Sequence, residues 1–168
     1  MVDILSNLTK LNNVEDTSNQ GTEFFVEGSI LYIKGSDDFK DWVTNFASIR
    51  QDIHAGFMVE STIIFMKVRK KEISLVVGHS AGGAIGCLVG MALGVPAITF
   101  GCPRFYHKNK AVNLHEYCQG NTTHYQLKND PVCLLPFWYS KKGGNHTPLK
   151  SNKFFGHFLN DYIACLKG

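Results

Sequence analysis

From Ile73 to Pro103 the chain carries no Lys, Arg, Asp or Glu. So long an uncharged stretch must be buried, either in a core or in a bilayer, and its punctuation decides between them. Ile73-Ser74-Leu75-Val76-Val77 opens it as a short run rich in β-branched residues, the pattern of a strand covered on both faces. Gly78-His79-Ser80-Ala81-Gly82 follows, and Ala81 to Leu93 is small and apolar over a helix's length. Gly82, Gly86, Gly90 and Gly94 keep the G-x-x-x-G spacing of packed membrane helices. However, Gly94-Val95-Pro96 ends the helix well short of the roughly 20 residues a span needs. The glycine stripe is then a face that packs closely on a sheet. A dinucleotide-binding turn would need G-x-G-x-x-G and an acidic residue about 20 positions on, and this stretch offers neither.

A chain that passes from strand straight into helix forces the turn residue into strained backbone angles. In G-x-S-x-G the flanking glycines relieve the crowding, so that Ser80 is lifted out with its hydroxyl exposed. The helix behind it starts at Ala81, whose backbone N–H and positive dipole end face whatever Ser80 attacks.

A serine hydroxyl is a poor nucleophile until a base takes its proton, and that base needs a third group to orient it. With the order Ser, acid, His, Asp130 fits the acid: it follows a strand-like run from Thr122 to Lys128, in a turn made by Asn129-Asp130-Pro131. Two histidines compete as base. His146 sits in the flexible run Gly143-Gly144-Asn145-His146, whereas His157 precedes an apolar closing helix that would hold its ring, and the need for rigid support favours His157. His79 should point away from the Ser80 hydroxyl, and His54 reads as a packing or capping residue. His107, His115 and His124 read as surface. A zinc site from His115, Cys118 and His124 lacks its fourth ligand, so neither metal nor cofactor is expected.

The rest of the chain alternates strand-like and helix-like segments. Residues 1–21 are polar, with a short apolar pattern at Ile4, Leu5 and Leu8, and are expected to be a loosely held lead-in to one domain over 22–168. Glu23 to Glu27 and Ser29 to Lys34 read as an edge hairpin, and Ala55 to Lys71 as a helix. Ala97 to Phe100 reads as a strand, His107 to Tyr117 as a helix, and Lys153 to Leu166 as a closing amphipathic helix. This alternation predicts an α/β three-layer sandwich with a mostly parallel central sheet. At 168 residues there is room for few insertions.

These residues resemble the fungal-type, or class 3, lipase family. Six motifs carry the likeness in order: Lys34-Gly35-Ser36 for an R-G-T-like turn, Asp41-Trp42-Val43-Thr44-Asn45, His54-Ala55-Gly56-Phe57, Gly78 to Gly83, Thr99-Phe100-Gly101-Cys102-Pro103-Arg104, and Asn129-Asp130-Pro131-Val132-Cys133-Leu134-Leu135-Pro136. The resemblance implies a compact, truncated α/β-hydrolase fold with Ser80 as nucleophile, Asp130 as orienting acid and His157 as base. It also implies an oxyanion hole from Ser36 and Ala81, and it makes His146 a residue near the site rather than the base. The Asp38 to Ser48 segment leaves little chain for a mobile lid. After Pro103-Arg104 the family's V-G-N gives way to Phe105-Tyr106-His107, so the acyl-side pocket is expected to differ.

The expected activity is a serine ester hydrolase acting on lipid esters. Phospholipase or lysophospholipase action, a soluble-ester carboxylesterase and a catalytically silent lipid-binding module are the alternatives. Phe137 and Trp138, with Tyr139, could line an acyl groove or touch a lipid surface, and could equally be core. The formal charge is only +3, and the one dense basic run, Lys67 to Lys71, falls at a helix end that it suits electrostatically. Nucleic acid is therefore not an expected partner, and no oligomeric state is specified. Five scattered cysteines and an N-terminus without a signal-peptide pattern point to the cytoplasm.

Overall fold

The computed structural model describes residues 3–12, 22–35, 52–151 and 154–167. The sheet has six strands in the order β1 (Glu23–Glu27), β2 (Ile30–Lys34), β3 (Leu75–His79), β4 (Ala97–Phe100), β5 (Thr122–Leu127) and β6 (Asn145–Leu149). β1 runs antiparallel to β2, and every other neighbouring pair is parallel. Between the parallel strands lie α2 (Ala55–Val68), α3 (Ala81–Leu93) and α4 (Val112–Asn121). Because each crossover is right-handed and steps the same way along the sheet, all three helices fall on one face. There Phe57, Ile64, Ile85, Val89, Leu114 and Cys118 bury against Leu31, Ile33, Val76 and Ala97.

The other face is covered by α1 (Ile4–Leu11) and α5 (Leu159–Lys167). Tyr32, Leu75, Val77, Ile98 and Phe100 alternate with the residues above and point to this second layer, where Leu8, Leu11, Leu159 and Tyr162 meet them. The three-layer sandwich with its mostly parallel sheet is therefore as the alternation predicts.

Several elements depart from expectation for identifiable reasons. The first residues do not form a loose lead-in: Asp3 caps α1 by accepting from Ser6 N–H at 3.0 Å, and Leu8 and Leu11 are wholly buried. α4 starts at Val112 rather than His107, because the His107 N–H is taken by Asp52 O and the Lys108 N–H by Ser140 Oγ. α5 starts at Leu159, because Asp161 closes the first turn by accepting from Phe158 N–H and donating its own N–H to Phe158 O. Phe154 and Phe155 are thus outside the helix and exposed, as is Phe158. The run around His146 is strand β6, at the sheet edge where Pro148 removes no needed ladder bond.

α3 is buried along its length from Ala81 to Gly90. Its approach to the sheet needs glycine: a Cβ on Gly82 would collide with the Ile33 carbonyl of β2, and one on Gly86 would stand 3.2 Å from Val76 Cγ1 of β3. No helix among the described residues is long and apolar enough to cross a membrane.

Candidate active site

The ends of β3, β5 and β6 feed the site, at the carboxyl edge of the parallel strands where α/β sheets open their crevices. β3 runs through His79, two residues further than its apolar run suggests, and the chain turns at once into α3. Ser80 stands at that corner with φ 55° and ψ −129°, the one non-glycine residue at positive φ among the described residues. Such a conformation costs on the order of 1–3 kcal/mol and persists only where the surroundings fix it. Here Ser80 N–H donates to Phe100 O and Ser80 O accepts from Gly83 N–H, both at 2.9 Å.

Ser80 Oγ lies 2.9 Å from His157 Nε2. On the ring's other side, Nδ1 lies 3.0 Å from Asp130 Oδ1 and 2.9 Å from Oδ2. A carboxylate only accepts, so the proton sits on Nδ1 and Nε2 presents its lone pair to the serine hydroxyl. All three residues are buried, at 8% exposure or less. The structure thus brings Ser80, His157 and Asp130 together. His146 is elsewhere, donating from Nε2 to Lys142 O and stacking on His124.

Asp130 follows β5 and caps a short 3₁₀ turn, Pro131–Leu134, with Oδ1 accepting from Val132 N–H at 2.9 Å. Its Oδ2 also accepts from the Tyr162 hydroxyl at 2.6 Å and from the Cys133 thiol at 3.6 Å. Burial first, and then Cys133 and Asp130, push the Tyr162 phenol far above its ordinary range, so it remains a donor. Gly101, at φ 60°, brings the backbone so close that a Cβ would stand 3.0 Å from Asp130 Oδ2 and 3.1 Å from His157 Cε1.

Two supporting residues escape a reading of sequence alone. Tyr162 looks like an apolar helix position, and nothing in that pattern signals that its hydroxyl reaches Asp130 from the first turn of α5. His79 supports the base: its Nε2–H donates to His157 O at 2.9 Å and the two rings stack at 5.2 Å.

Ala81, first residue of α3, has no carbonyl within the helix for its N–H. Gly35 passes beside it; a Cβ there would stand 2.9 Å from Ala81 N, and Gly35 N–H donates to His79 O. Ser36 itself lies outside the described residues, as do Asp41 to Asn45 and the Asp38 to Ser48 segment. Trp138 packs against the core on the α2 to α4 face, while Phe137 stands 74% exposed with its ring edge-on to Trp138. Trp138 is thus half-buried with part of its surface against the core, while Phe137 is largely open to solvent.

His54 caps α2, with Nδ1 accepting from Phe57 N–H at 3.4 Å. His124 is buried, contrary to its surface reading, because the period of β5 turns it toward the helix layer. Its Nε2–H donates to Gly143 O at 3.0 Å and its Nδ1 accepts from Thr99 Oγ1 at 2.6 Å. His115 likewise engages Tyr106 and Gln119 through its two nitrogens. Among the described residues no three His, Cys, Asp or Glu side chains converge as a metal site would require.

A serine at a strand-to-helix corner of a parallel sheet, beside a histidine and a buried aspartate, defines the class: the chain has an α/β-hydrolase fold. The fold is that of the fungal lipases. A lipase from Rhizopus niveus is 23% identical with a TM-score of 0.58, over 84% of this chain and 65% of that one. A lipase from Yarrowia lipolytica is 16% identical with a TM-score of 0.58, over 83% of this chain and 63% of that one. For a lipase from Rhizopus microsporus var. chinensis the values are 20% and 0.53, over 77% and 55%. The chain thus spans between 55% and 65% of the length of these relatives. No protein-family model and no curated protein matches it.

Proposed function

We propose that the chain is a serine ester hydrolase acting on lipid esters, with Ser80 as nucleophile, His157 as general base and Asp130 as the group that orients the base. The observation that carries this reading is the strained Ser80, 2.9 Å from a His157 nitrogen whose opposite nitrogen is held by a buried carboxylate. Ser80 Oγ attacks the ester carbonyl carbon while His157 Nε2 takes its proton. The imidazolium, stabilised by Asp130, returns that proton to the leaving alcohol as the C–O bond breaks, and an acyl-Ser80 remains. Water, deprotonated by the same nitrogen, then releases the acid and regenerates Ser80.

In each tetrahedral intermediate the negative oxygen is met by Ala81 N–H and the N-terminal end of α3, with Ser36 as the second donor. Lipid esters are favoured over small soluble ones by Phe154, Phe155 and Phe158, which flank His157 in sequence and offer exposed apolar surface. Five unpaired cysteines, four of them buried, support a reducing compartment.

Hydrolysis of p-nitrophenyl esters of graded chain length tests the reading. We expect activity that falls on the order of a million-fold in Ser80→Ala. Equal hydrolysis by purified Ser80→Ala would refute it.

A further inference from the structure

The esterase reading uses no cation, yet cations gather beyond the Asp130 turn. Two adjoining clefts, of about 390 and 540 Å³, share Arg104, Lys141 and Lys142 in their walls. Lys108 lines the larger cleft, and Gln126 and His146 the smaller. No acidic side chain lines either one among the described residues. These four cations exceed the formal net charge of the whole chain, +3. Like charges around one cleft repel, and the fold keeps them together without a carboxylate.

Lys142 is the most telling of them. It is 7% exposed, and its ammonium meets only carbonyls, Cys102 O at 2.5 Å and Cys133 O at 3.4 Å. Two of its three N–H donors are then used. Arg104 spends only Nη1, on Tyr139 O at 3.4 Å and Phe137 O at 3.5 Å. The in-plane fork of N–H donors on a guanidinium, with a fixed ammonium beside it, is a match for a tetrahedral oxyanion.

We propose that this cleft is a binding site for a phosphate group, carried either by a lipid headgroup or by a soluble phosphate. A dianionic phosphate neutralises the repulsion among Arg104, Lys108, Lys141 and Lys142, and several of its oxygens can be met at once. Gln126 and His146 add polar side chains to the wall. The proposal does not rest on the esterase reading.

Its test therefore reads binding, not turnover. The Ser80→Ala chain is titrated calorimetrically with inorganic phosphate and with glycerol phosphate, and floated with vesicles of phosphatidylcholine alone or doped with phosphatidic acid. Saturable binding of either phosphate solute identifies a soluble ligand, and binding confined to phosphatidic acid vesicles identifies a headgroup. Either supports the site if Arg104→Gln with Lys141→Gln weakens it about tenfold or more, as expected for a lost charge-assisted contact. Lys70→Gln with Lys71→Gln, at the exposed end of α2, is the control and must leave binding unchanged. Should the Arg104 variant fail to fold, Lys108→Gln with Lys141→Gln, both exposed, takes its place. No saturable binding in either arm overturns the proposal. So does equal binding by the cleft variants, or equal loss in the α2 control, which would mark a general charge effect.

Discussion

Ser80 occupies backbone angles that only glycine adopts freely, and the close fit of β2, β3 and α3 holds it there. Its neighbour His157 is fixed from three directions: Asp130 grips Nδ1, His79 donates to its carbonyl, and the His79 ring stacks on its own. We expect His157→Ala to lose nearly as much turnover as Ser80→Ala, while His146→Ala retains most of it, measured as kcat on the same ester. The reverse order would move the base to His146. The meeting of Ser80, Asp130 and His157 was legible in sequence because G-x-S-x-G, Asn-Asp-Pro and Gly-His each sit at an element boundary. Tyr162 and His79 were not, since an aromatic in an apolar helix pattern and a histidine inside a motif give no sign of a hydrogen bond made across the fold.

Helix α2 carries a pH dependence in its cap. Burial lowers His54 to about 4 from the ordinary 6.5, so the folded chain keeps this imidazole neutral where the unfolded chain takes up a proton. The neutral form is also the one whose Nδ1 can accept from Phe57 N–H. Its stabilising contribution is therefore complete above about pH 6.5 and is lost as the pH falls toward 4. Allowing for its partial exposure, the loss is on the order of 1 kcal/mol. Buried His124, also held well below its ordinary value, adds in the same direction. Urea unfolding across this window should show stability falling with pH, and a shallower fall in His54→Asn, which keeps a capping oxygen. Equal slopes for the two proteins would remove His54 from the account. Elements with strong periodicity or clear stops, such as α3 and β4, match the sequence reading residue for residue. The start of α4 and the whole of β6 do not, because tertiary hydrogen bonds and an edge position decide them.

At the scale of the molecule, among the described residues the sheet is covered by three helices on one side and by α1 and α5 on the other. A short amphipathic turn at the N-terminus reads as a dangling lead-in when its partners are unseen; Leu8 and Leu11 acquire their role only once α5 has docked beside them. Leu11→Ala is expected to destabilise the fold by about 2–4 kcal/mol in chemical denaturation. An unchanged midpoint would mean that α1 does not seal this layer. The same arrangement sets the site at the edge of the parallel strands, with α5 holding Asp130 through Tyr162 on one side of the sheet and α3 starting just behind Ser80 on the other. The central claim is that this meeting of layers makes Ser80 a nucleophile. Incubating the chain with a fluorophosphonate and mapping the adduct by peptide mass spectrometry tests it most directly. A single adduct on Ser80, absent in Ser80→Ala and formed far more slowly in His157→Ala, is the predicted result; an unmodified Ser80, or labelling that ignores His157, would contradict it.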